Sequence, residues 1–195
     1  AQCKNNLKQL GIAIHNYHET HGRIPWGSSA EQGNLGPRRV SGFIALLPFM
    51  DFEPLYDEIS TSANGTFTRR VPWDQGYAPW RTQIPGLLCP SDGRGTAGNR
   101  LGQTNYMFSY GDNAWDFNPR WVGNSGRGIR GMFHALRANN GRSPGTYAFR
   151  DVTDGLSNTI AMSERIKGKT RSTTMQGGAM RRGIGGGYRG NPSSV

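Results

Sequence analysis

The stretch CKNNLKQLGIAIHNYHETHGRIP, residues 3–25, constrains the fold more than any other part of the chain. Cys3, Leu7, Leu10, Ile14 and Tyr17 recur in a 4-3-4-3 spacing, which places all five on one stripe of an α-helix. Lys4, Asn5, Lys8, Gln9 and Asn16 point elsewhere. The helix has a marked end. Gly22 suits the left-handed C-terminal conformation, and Pro25 cannot continue the helix. Its start is unmarked, because no Ser, Thr or Asp stands before Cys3 to accept the first-turn N–H groups. The stripe stays in phase back to the first residues, so we expect the C-terminal half of a longer helix, with a hydrophobic half ahead of residue 1.

The length of 195 residues suits one domain with its own core, given a prior of roughly 150 residues per domain. An apolar fraction of 34% and 29 glycines imply long loops over a modest core. The 23 basic residues outnumber the 13 acidic ones, leaving +10, a charge that attracts nucleic acid, anionic glycan or acidic lipid head groups if it is clustered. A plainly basic extracellular subunit is the blander reading, and we prefer it. No run approaches the roughly 20 apolar residues of a membrane span, and no stretch has the layout of a signal peptide. Any export signal is therefore expected ahead of residue 1.

Cys3 and Cys89 have no C-x-x-C spacing and are too few for a zinc cage without histidines. Both sit on apolar runs. They either pair as a disulfide in an oxidising compartment or remain two buried thiols.

Further along, WGSSAEQGNLGPRRVS reads as an irregular loop, and GFIALLPFMDFEPLYDEI, residues 42–59, as a short helix on each side of Pro48. Short strands are expected at GLLC, TNYMFSYG, GMFHAL and TYAFRDV, each bounded by turn residues, and NTIAMSER as a further strand or helical turn. From Gly168 the chain is rich in Gly and Arg with no apolar period. We divide it into a globular domain, residues 1–167, and a tail or loop, residues 168–195.

CKNNLKQLGIAIHNYHETHGRIP, LLPFMDFEPLY, LLCPSD, TNYMFSYG, GMF and DVTDGLSNTIAMSE occur here in the order seen in a large group of planctomycete surface proteins. The chain resembles that family, catalogued as a domain of unknown function (DUF fifteen-fifty-nine), whose members look like type IV pilins and type II secretion pseudopilins. The resemblance runs from about residue 3 to 164. It implies an α+β, pilin-like fold, with an N-terminal amphipathic helix packed across an antiparallel β-sheet drawn from residues 84–163 and long irregular Gly-rich loops. It also implies a prepilin-type leader and helix ahead of this chain, a membrane attachment through that helix alone, and a location outside the cell or on its surface. The family's usual His-Pro-Gly-Gly and Asp-Gly-Ser endings do not occur.

Several residue sets carry candidate chemistry. His15, His18 and His21 lie at i, i+3 and i+6, a poor metal spacing beside the i, i+4 pairs of helical zinc sites, so they read as surface positions. Ser91, His134 and Asp154 name a nucleophile, a base and an acid, but no G-x-S-x-G elbow frames a serine, and the chain does not read as an enzyme. In DVTDGLSNT, residues 151–159, Asp151, Asp154, Ser157 and Asn158 offer hard oxygens suited to calcium. The resemblance adds weight there, since major pseudopilins bind calcium beside their sheet. A capped turn around Gly155 explains the same residues, and we prefer it; no other cofactor is implied. Arg38, Arg39, Arg69, Arg70, Arg181 and Arg182, interspersed with Trp73 and Trp80, suit either a self-association surface or a site for nucleic acid or anionic polysaccharide. The reading we adopt is a structural subunit of a surface pilus- or pseudopilus-like assembly that works by self-association. The alternative is a surface module binding a polyanion through its basic, aromatic loops.

Overall fold

Helix α1, Gln2–His21, buries Cys3, Asn6, Leu10, Ala13, Ile14 and Tyr17 along one side. This is the expected stripe widened by two short side chains, with Leu7 half-buried at its margin. Gly22 ends the helix in the left-handed region at φ 68° and donates its N–H to His18 O at 2.7 Å. At the other end Ala1 supplies no side-chain cap. The structure is a computed structural model, and it describes residues 1–29, 40–61, 74–93, 101–110, 131–133, 135–136 and 147–167. The expected tail, residues 168–195, lies outside the described residues.

After α1 comes strand β1, Ser28–Ser29, inside the segment read as an irregular loop. Helix α2, Phe43–Leu46, runs directly into a 3₁₀ turn, Leu47–Met50, and helix α3 follows at Glu53–Ser60. A short helix therefore stands on each side of Pro48, as expected. Pro48 occupies the opening of the 3₁₀ turn, where a missing N–H leaves no helical bond unmade. The 3₁₀ turn then ends at Asp51, left-handed at φ 64°. Two more 3₁₀ turns, Ala78–Arg81 and Pro85–Leu87, lead to strand β2, Tyr106–Phe108. Strand β3 is Ala135–Leu136, a further 3₁₀ turn covers Phe149–Asp151, and strand β4 is Met162–Glu164.

The strands form two pairs, β1 with β3 in parallel and β2 with β4 antiparallel, the latter in the register Tyr106 to Glu164, Met107 to Ser163 and Phe108 to Met162. The fold is thus a mixed α/β one with an N-terminal helix and a small antiparallel sheet. That sheet is narrower than expected among the described residues. GLLC does not form a strand, because Pro85 and Gly86 turn the chain and Leu87 N bonds back to Ile84 O at 2.9 Å. TYAFRDV turns as well, with the Ala148 N–H tied to the Asp151 carboxylate at 2.8 Å.

For this reason α1 packs chiefly on α2, the Leu47–Met50 turn and the Pro85–Leu87 turn, with the antiparallel pair reached through Tyr106. The core joins Leu10, Ile14 and Ile24 to Leu46, Leu47, Ile59 and Phe133. Phe43 stacks on Phe108 with ring centroids 4.4 Å apart, and Phe108 leans on Phe133 at 4.5 Å. No helix among the described residues is long and apolar enough to cross a membrane.

Leu10 has no exposed surface, so Leu10→Ala leaves a cavity under the helix. The expected cost is about 2–5 kcal/mol, read as a lower urea midpoint with an unchanged slope.

Candidate functional site

Two bonds and a cross-link hold the first turns of α1. Cys3 and Cys89, 86 positions apart in sequence, form a disulfide with their Cα atoms 4.8 Å apart, so the described residues contain no free cysteine. Asn6 Nδ2 donates to Leu88 O at 2.9 Å, and the hydroxyl of Tyr106, a residue with no exposed surface, donates to Cys3 O at 3.2 Å. In the chain-entropy picture, closing a loop of that length stabilises the fold by about 4–5 kcal/mol. Ser91 Oγ sits 3.6 Å from Cys3 Sγ. The two sulfurs and a Glu164 carboxylate oxygen all lie within 4.8 Å of one another, the group of potential metal ligands the described residues bring together. Bonded to each other, the sulfurs present no thiolate to a metal.

Beside the disulfide lies Asn105, fully buried. Its Oδ1 accepts the Cys89 N–H at 2.8 Å, and its Nδ2 donates to Asp92 Oδ2 at 2.7 Å and to Arg165 O at 2.9 Å. Its backbone N–H reaches Leu87 O at 2.9 Å, and its carbonyl accepts the Arg165 N–H at 2.7 Å. Asp92 Oδ2 also accepts the Lys167 N–H at 2.8 Å. An amide side chain has two donors and one acceptor oxygen, and all are used here to join the LCPSD segment, β2 and the end of β4. Asn105 lies in the TNYMFSYG motif but is not among the candidate residues that the sequence points to. The available signal was an uncharged polar residue at the head of an apolar strand.

His15 and His21 are exposed, as expected of surface positions, while His18 is half-buried and all three rings make aromatic contacts. His18 Nε2 accepts the Phe149 N–H at 3.2 Å, and its ring stacks on Phe149 at 4.1 Å, with His15 tilted against the same ring at 4.7 Å. His21 stacks on Tyr17 at 4.2 Å. His15 and His18 dock the Phe149–Asp151 turn against α1.

In the calcium candidate, the Asp151 carboxylate caps Ala148 and lies 3.9 Å from Arg150 Nε. Asn158 Nδ2 donates to Asp154 O at 3.1 Å, Thr159 Oγ1 donates to Gly155 O at 3.0 Å, and Gly155 has φ 85°. These bonds make a capped turn in which Asp151 and Asn158 hold backbone groups, and Ser157 is exposed beside them. Arg38, Arg39, Arg69, Arg70, Trp73, Arg181, Arg182 and His134 lie outside the described residues. Trp80 is not a free surface side chain. It lines a cavity of about 220 Å³ between α2, α3 and residues 101–104, and its ring meets Tyr77 edge-on at 5.4 Å.

Burial raises the phenol of Tyr106 above its ordinary value; a hydrogen bond from Asn6 works against this and the Glu164 charge adds to it. Burial likewise raises Tyr17, with Arg23 opposing and Tyr56 adding.

An N-terminal helix cross-linked by one disulfide to the LCPSD segment, which a buried asparagine joins to a small antiparallel sheet, defines the class: a mixed α/β domain with a covalently pinned helix. Residues 1–191 match the model of the family SBP_bac_10, described as a protein of unknown function (DUF1559), and the chain belongs to that family. No curated protein and no solved structure matches it.

Replacing both cysteines (Cys3→Ser with Cys89→Ser) is expected to lower unfolding free energy by about 4–5 kcal/mol, with a dithiol producing a similar loss in the parent chain. The alkaline limb follows from the tyrosines. Above pH ~10 an unfolded chain releases phenol protons that folded Tyr17 and Tyr106 retain, so stability falls as pH rises. Ultraviolet titration should show Tyr17 and Tyr106 ionising late, together with unfolding.

Proposed function

We propose that this chain is the globular part of a structural subunit of a pilus- or pseudopilus-like assembly, outside the cell or on its surface, that acts by self-association. The observation carrying this reading is the mounting of α1. The helix is fixed near its start by the Cys3–Cys89 disulfide and near its end by the His18–Phe149 bond. Lys4, Asn5, Lys8, Gln9 and Asn16 are left exposed. A helix held at both ends transmits its direction to any chain that continues it, as a repeating subunit requires. The disulfide supports an oxidising location, where such bonds persist. Large apolar side chains are also exposed, among them Ile160 (71%) and Ile166 (47%) on either side of β4.

The protein isolated from its native cells is expected to sediment as polymers or with membranes. Recovery of the whole protein as a soluble monomer without detergent would sink the proposal.

A further inference from the structure

The cavity beside Trp80 has an apolar lining that includes Ile44, Leu47, Leu55, Ile59 and Pro79. Two of the residues lining it also carry buried polar atoms with no hydrogen-bond partner, the donor Trp80 Nε1 and the acceptor Gln103 Oε1. Folded proteins leave few such atoms, and each costs about 1–3 kcal/mol while unmet. One of each sign, held just behind the surface on two residues that line a single cavity, calls for a partner that both accepts and donates.

This part of the lining is built rather than loose. Gly102 N donates to Trp80 O at 2.6 Å, Gln103 N donates to Gln83 Oε1 at 3.1 Å, and Gln83 Nε2 returns a bond to Leu101 O at 3.0 Å. A Cβ at position 102 would come within 2.6 Å of Thr82 O, so only glycine permits the approach. Tyr77, edge-on to the Trp80 ring, donates its hydroxyl to Glu58 O at 3.0 Å and ties the assembly to α3. Among the described residues no Lys, Arg, Asp, Glu or His lines the cavity, which disfavours a charged occupant. Its size is informative too. An apolar cavity of roughly 150 Å³ takes up benzene, and this one, at about 220 Å³, has room for a ring and a short substituent.

We infer that the cavity binds a small neutral molecule with a ring-sized apolar body and a carboxamide head. The head's carbonyl accepts from Trp80 Nε1 and its N–H donates to Gln103 Oε1, while the body fills the space between α2 and α3. Both atoms are closed off from water, so the head reaches them through a small rotation of the half-exposed Trp80 ring. This site is independent of the self-association proposed above, and a monomeric chain should show it equally.

The test uses the whole chain, labelled with ¹⁵N, with benzamide as probe and ethylbenzene as the same body without the head. The Trp80 indole N–H signal is assigned by elimination through Trp→Phe variants of the other tryptophans. Benzamide is expected to shift this signal saturably, binding at least tenfold more tightly than ethylbenzene, and Gln103→Leu is expected to remove that advantage. An absence of saturable shift up to benzamide's solubility, or equal affinity for the two probes, overturns the inference. Should Gln103→Leu fail to fold, the comparison of the two probes on the parent chain decides alone.

Discussion

Asn105 is the point on which the described structure turns. Its buried amide meets Cys89, Asp92 and Arg165 with every donor and its oxygen engaged, and its own backbone groups complete a ladder to Leu87 and Arg165. A buried amide is stable out of water only when its own groups are paired, and those of Asn105 are. What it fixes is the position of Cys89, and the disulfide then carries that position to the first turn of α1. Tyr106, the next residue, adds its hydroxyl bond to the carbonyl of the same Cys3. The helix, the strand pair and the LCPSD turn are therefore held at one joint, partly by covalent linkage and partly by hydrogen bonds.

The remainder of the core works by apolar contact. Leu10 and Ile14 of α1 belong to one cluster with Leu46, Leu47 and Leu87, and the Phe43–Phe108–Phe133 series links α2 to β2. The far end of α1 closes through stacking and one hydrogen bond on Phe149. A helix secured in this way can serve as a rigid arm, which is the mechanical content of the proposed assembly role. The cavity between α2 and α3 has a different feature, two lining residues, Trp80 and Gln103, that each carry a buried polar atom without a partner.

Much of this was legible from residues 3–25, because a 3.6-residue period over four turns leaves few alternatives to a helix. Gly22 and Pro25 marked its end correctly. Asn6 and Ala13 were missed as buried positions, since a short or polar side chain gives no periodic signal. The strands were over-assigned where turn chemistry prevailed, with Pro85 and Gly86 in one place and the Asp151 cap in another. The roles of His18 and Asn105 depend on partners far away in sequence, 131 positions in the case of Phe149, and no local pattern announces such a bond. Trp80 was noticed for its ring, but only the fold reveals that its N–H is unmet. The arginine pairs lie outside the described residues, so their surface reading rests on the sequence.

The central claim is that the Asn105 joint and the pinned helix behave as one unit, and native-state amide hydrogen exchange tests it most directly. The amides of Cys89, Asn105 and Arg165 and those of the α1 core around Leu10 should exchange with one common free energy equal to that of global unfolding. If the three joint amides open at much lower free energy while the α1 core stays protected, the joint is not what holds the structure together.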